Sequence, residues 1–171
     1  SAEADPGPNV LLTGTPEAEL LVNLRWNLDQ MIGYHGINNH MGSRFTRDLA
    51  GMRVVMKELK ARGLFFLDSV TSRDSVGAKT AQEAGVPFAT RDIFIDHKDD
   101  TAFVHKQLAK VEAKARKHGV AIAIGHPRDI TLRALKLWLT KVQAEGFELV
   151  GVSRVLHKPA SAQPSLSGTS G

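Results

Sequence analysis

Residues 62–69, "RGLFFLDS", decide the fold. Leu49, Met52, Met56 and Leu59 precede them at helical spacing, and Gly63 stands where that helix needs a left-handed last residue. The run "LFFL" then offers no polar side chain to either face, as in a strand covered by helix layers. Asp68 and Ser69 come next, two polar groups where a buried strand first emerges.

The same pattern recurs outward from this point. Leu20, Leu24, Leu28 and Met31 form a helical stripe followed by Gly33. A shorter helix around residues 74–84 ends at Gly85, before "VPFA". Val104, Leu108, Val111 and Ala115 lead to Gly119 and "VAIAI". Leu132, Leu135, Leu139 and Val142 lead to Gly146 and "FELVGV". Trp26 and Trp138 fall on helices and read as packing residues. Alternating helices and apolar strands predict an α/β fold with right-handed crossovers and a parallel sheet. Five such units can be placed, too few for a full eight-stranded barrel.

The 171 residues suit one domain. The formal net charge is +4, but acidic and basic residues interleave, as in "KVEAKARKHG". That is a solvated helix face, and no RNA-binding aromatic signature accompanies it, so no nucleic-acid partner is expected. With no cysteine, disulfides, thiolate metal sites and a thiol nucleophile are excluded. No apolar run is long enough for a membrane span, and no signal peptide stands at the start. Residues 1–15 read as an irregular lead-in and 16–157 as the β/α domain. Residues 158–171, rich in Pro, Ser, Gly and Ala, read as a disordered tail.

In folds of this kind chemistry collects at the C-terminal ends of the strands. Asn38, Asn39 and His40 end the first strand, Asp68 and Ser69 the second, and Arg91 and Asp92, with Asp96 further on, the third. His126 ends the fourth and Ser153 the fifth. His40 reads as a metal ligand or general base, or as a histidine bonded to backbone. His126 sits between Gly125, which permits close backbone approach, and the stiffening Pro127. Asp68 either caps a turn or serves the site. Arg91 and Asp92 form an ion pair or act in it, and Asn38 and Asn39 hold loop backbone or a polar substrate. His35, His97, His105, His118 and His157 read as surface residues. Histidines and carboxylates at strand ends suit a divalent metal such as zinc. A Ser43 or Ser69 nucleophile with His126 has no elbow motif behind it, and no glycine-rich phosphate loop is present.

Four strings taken in order resemble the divergent polysaccharide deacetylase family, a distant branch of the NodB-type carbohydrate esterases. They are "GINNHMGSRFT" (36–46), "GLFFLDSVTSRDSV" (63–76), "GVPFATRDIFID" (85–96) and "AIAIGHP" (121–127). The resemblance runs from about residue 6 to residue 153 and implies a distorted parallel β/α barrel. Family members open with a strand carrying an Asp-Asp pair, and a later strand carries a His before Pro-Met. The lead-in "EADPGPN" is similar to the stretch directly after that second motif. The chain is therefore expected to match the later two-thirds of the domain, incomplete at its N-terminus, with sheet edge left exposed.

The resemblance implies a metal-dependent carbohydrate N-deacetylase acting on N-acetyl sugar polymers, with polysaccharide or peptidoglycan as substrate. A divalent metal, zinc by expectation, would polarise the acetamido carbonyl and activate water. His40 is the expected metal ligand and His126 the general acid. Asp92 is expected to hold His126 or tune a carboxylate. Asn38, Asn39, Ser43, Arg44, Arg91 and Asp68 are the expected substrate-binding residues. The substrate implies a periplasmic or exported setting. The superfamily's usual His-x-x-x-His pair is absent, which leaves a non-catalytic glycan-binding descendant as the alternative. An unrelated α/β hydrolase is the third reading.

Overall fold

A computed structural model describes residues 9–40 and 42–157. The predicted tail, 158–171, and residues 1–8 of the lead-in lie outside them. Residues 9–15 form no helix or strand and are tethered by Asn27, whose side-chain amide donates to the Asn9 carbonyl at 2.8 Å.

Helix α1 spans Glu17–Leu28, β1 Gly36–Asn38, a 3₁₀ turn Phe45–Arg47, α2 Leu49–Arg62 and β2 Phe65–Asp68. Helix α3 spans Gly77–Ala84, β3 Phe88–Thr90 and β4 Ile93–Phe94. Helix α4 spans Thr101–His118, β5 Ala123–Ile124 and α5 Asp129–Ala144, followed by a 3₁₀ turn at Val152–Arg154. The fold is α/β, and every strand pair is parallel. One sheet has the order β1-β2-β3, with Asn38 opposite Leu67 and Asp68 opposite Thr90. The other is β4-β5, with Phe94 opposite Ile124.

Local chemistry sets the helix ends. Asp48 caps α2 by accepting from the Ala50 and Gly51 amides, and Asp100 caps α4 by accepting from the Phe103 amide. Gly63 closes α2 at φ +67°, where any L side chain would be strained. Helix α1 departs from its expected end. It stops at Leu28, because the Tyr34 hydroxyl donates to the Leu28 carbonyl and Arg62 draws Asp29 aside. Met31 is thus 69% exposed, and Gly33 lies in the loop before β1.

The apolar residues divide between two clusters. Leu20, Leu24, Met52, Met56, Leu59 and Phe66 pack between α1, α2 and the larger sheet. Ile95, Val104, Leu108, Val111 and Ala134 pack between α4, α5 and the smaller one. Three packing expectations need correction. "FELVGV" forms no strand. Phe147 is held back by its amide bond to the Val142 carbonyl and by Arg116, 4.5 Å over its ring. The segment beyond it leaves Leu149 and Val150 exposed and makes a two-bond antiparallel bridge from His157 to Phe88. "VAIAI" is not covered on both faces, since Val120 and Ala123 are exposed. Trp26 is 45% exposed, whereas Trp138 packs as expected and donates its ring N–H to Glu112.

Candidate functional site

The C-terminal ends of the larger sheet are bound to one another through the loop after β2. Asn39 accepts the Ser69 amide at 2.8 Å and donates to the Thr71 hydroxyl at 3.2 Å. Asn38 donates to the Ser69 hydroxyl at 3.1 Å. Asp68, 2% exposed, accepts the Val70 amide at 2.8 Å and the Ser75 hydroxyl at 2.7 Å. Arg91 donates to the carbonyls of Ser69 at 2.6 Å and Val70 at 3.0 Å. Within this clamp Val70 takes φ +48°, a costly conformation for a β-branched residue. Burial is the largest effect on Arg91 and lowers its pKa, while the charges of Asp68 and Asp92 act the other way.

Four expected substrate-binding groups, Asn38, Asn39, Asp68 and Arg91, are thus bonded to protein partners. Ser43 and Arg44 are exposed on the wall of a cavity of about 890 Å³ that Asn38, Asn39 and His40 also line. Leu24, Ile37, Met52 and Phe66 form its apolar side. Ser153 lies in an exposed 3₁₀ turn away from any strand end.

The smaller sheet carries the second half of the site. Asp96 and His126 lie two residues beyond the paired residues Phe94 and Ile124, so the parallel register continues to them. Asp96 is fully buried. Its Oδ2 accepts the His126 amide at 2.6 Å and the Thr131 hydroxyl at 2.8 Å, and its Oδ1 faces His126 Nδ1 at 3.1 Å. Burial alone would raise the Asp96 carboxyl. The bonds from the His126 amide, Thr131 and the His126 ring more than offset this, and it lies below the ordinary carboxylate range. An ionised Asp96 only accepts, so Nδ1 is the protonated donor and His126 Nε2 is left for an outside partner. The His126 side chain is 35% exposed. At Gly125 the chain runs tight against Ile95: a Cβ there would meet Ile95 Cγ1 at 2.7 Å.

His40 and His126 meet edge to face, their ring centroids 6.0 Å apart, so the two expected histidines come together. Asp92 does not join them. It precedes β4, at the end opposite His126, where it accepts the Ile122 amide at 2.8 Å and pairs with Lys114 at 2.9 Å. The carboxylate holding His126 is Asp96, and the signal that finds it is the register: "IFID" and "AIGH" each end two residues past a strand.

The sequence profile of the divergent polysaccharide deacetylases matches residues 1–156. The chain belongs to this family. An uncharacterised Haemophilus influenzae protein is 44% identical over 120 residues, covering 70% of this chain and 42% of the relative. The uncharacterised Escherichia coli protein YibQ is 39% identical over 124 residues, covering 72% of this chain and 39% of its own length. The chain thus spans about two fifths of these family members. A crystal structure of an uncharacterised Agrobacterium tumefaciens protein superposes with a TM-score of 0.86 at 30% identity, covering 89% of this chain and 62% of the other. Family and structural likeness agree on the parallel β/α architecture.

The family's expected metal can be set against the residues present. A catalytic zinc takes three protein ligands. Among the described residues no three His, Cys, Asp or Glu side chains converge in that way. His126 Nδ1 and both Asp96 oxygens are already bonded. The described residues do not by themselves fit the metal.

Proposed function

We propose that the protein is a carbohydrate N-deacetylase that hydrolyses the acetamido groups of a sugar polymer, with His126 as general acid. The observation that carries this is the buried Asp96 holding His126 by ring and amide at the end of β5, with His40 facing it. Water attacks the acetamido carbonyl carbon, the carbon–nitrogen bond breaks, and acetate and an amine leave. The departing nitrogen needs a proton, and protonated His126 gives it from Nε2. Asp96 steadies the imidazolium while it carries that charge, then keeps the proton on Nδ1. Asp68, Asp92 and Asp96 are committed to protein partners, so the attacking water's proton passes to bulk solvent, from which His126 is reprotonated for the next turnover. A divalent metal at His40 belongs to this proposal only with ligands from beyond the described residues. A polymeric sugar substrate also fits a periplasmic or exported setting.

Acetate release from an N-acetylglucosamine polymer tests the proposal, with metal content measured on the same samples. His126→Ala is expected to lower turnover by about 10²–10⁴-fold with metal content unchanged. Loss of metal would recast His126 as a ligand, and unchanged turnover would remove it from the chemistry. Glycan binding with no acetate release by the wild type would leave a glycan-binding protein of the same fold.

A further inference from the structure

A row of rings leads away from His126. Its imidazole meets the edge of Phe94 at 5.3 Å between centroids. Phe94 lies nearly parallel to His97 at 6.2 Å, and His97 meets Phe103 at 4.3 Å. Phe94 is on β4, His97 follows Asp96, and Phe103 is in the first turn of α4. Phe94 is held from behind by Gln107, which is 7% exposed and donates to its carbonyl at 3.1 Å. Phe103 is placed by the Asp100 cap, which takes its amide at 2.6 Å. Cations stand against the outer rings, Arg91 at 5.5 Å from the Phe94 centroid and Lys98 at 5.6 Å from that of Phe103. His97 is exposed, while Phe94 and Phe103 are half-buried. The stripe is therefore anchored from beneath, reachable from outside and continuous with the candidate site.

We propose that Phe94, His97 and Phe103 form a glycan subsite that takes sugar units next to the one at His126. The proposal rests on the deacetylase reading above and adds where the polymer runs. A pyranose ring presents a face of C–H groups ringed by hydroxyls. That face suits an aromatic surface, and the hydroxyls suit the water and charged groups at its edge. A monosaccharide at His126 leaves these rings untouched, whereas a longer oligomer covers them. Affinity should thus depend on length.

Titration calorimetry with the N-acetylglucosamine monomer, dimer and tetramer tests this, beside acetate release on the tetramer. The wild type is expected to bind the tetramer more tightly than the dimer. His97→Ala and Phe103→Leu should weaken tetramer binding by about three- to tenfold, and KM should rise more than kcat falls. His97→Phe, which keeps a ring, should restore the affinity, showing that stacking and not folding was lost. Affinity independent of length, or His97→Ala and Phe103→Leu binding the tetramer like the wild type, overturns the subsite. So does binding to none of the oligomers. Ring-dependent tetramer binding without acetate release overturns the deacetylase reading and supports the subsite. Acetate release with KM unchanged in both variants does the reverse.

Discussion

At the scale of single residues, the clamp after β2 shows how the sequence spends its polar groups. Six side-chain bonds from Asn38, Asn39, Asp68 and Arg91 converge on Ser69, Val70 and Thr71. They hold Val70 in a conformation that costs about 1–2 kcal/mol. Val70→Gly removes that strain and adds back about 0.5–1 kcal/mol of chain entropy. Stability by urea unfolding is expected to stay level or rise by up to about 1.5 kcal/mol, and a clear loss would show that the valine side chain matters more than the strain. The sequence made the strand ends legible as polar sites but not the partner each side chain takes. Asn38 and Asn39 read equally as substrate ligands or loop anchors until the loop is placed against them. His97 is the surface histidine the sequence suggested, but its aromatic neighbours, Phe94 and Phe103, were not legible because they come from a strand and a helix on either side of it.

At the scale of elements, α1 is fixed to α2 by charge as well as by packing. Buried Glu58 takes two bonds from Arg25, at 3.1 and 3.0 Å, and one from Arg62 at 2.8 Å. The Arg25 bonds, the largest effect, hold its carboxyl below the ordinary range against the cost of burial. Arg25 is half exposed, so solvent weakens its share. Glu58→Gln is expected to cost about 1 kcal/mol at neutral pH. Because the folded carboxyl is depressed, that contribution is present above the unfolded value of about 4.3 and fades as pH falls through the folded one. The gap between wild type and Glu58→Gln in urea should therefore narrow below about pH 4. A gap that holds at acid pH would assign the effect to packing. Helices were legible because capping is local: Gly63, Gly85 and Gly119 all stand at left-handed ends. Strands were less so. A run such as "FELVGV" has the right composition, yet pairing depends on a neighbour that local sequence does not name. The break between Thr90 and Ile93, which starts a second sheet, falls at Arg91 and Asp92, and those two polar residues read as the end of a strand, with nothing to say that a second sheet follows.

At the scale of the molecule, two parallel sheets with separate cores present their C-terminal ends to one another, and the candidate site lies where they meet. His40 comes from the larger sheet and His126 from the smaller. That meeting explains why Asp92 was the wrong partner and Asp96 the right one. Asp92 precedes β4 and bonds the start of β5, whereas Asp96 follows β4 and shares the level of His126. In the proposed function Asp96 sets His126 up as the acid in amide cleavage. Asp96→Asn tests it most directly, since the carboxamide keeps the shape and an oxygen for the His126 amide and the Thr131 hydroxyl. Its nitrogen would donate to Nδ1, move the ring proton to Nε2 in the neutral form and leave the imidazolium without its counter-charge. The measurement is kcat for acetate release from an N-acetylglucosamine polymer, with circular dichroism to establish that the variant is folded. Turnover is expected to fall by about 10²–10⁴-fold in a folded Asp96→Asn protein. Turnover equal to the wild type in that folded variant would contradict it.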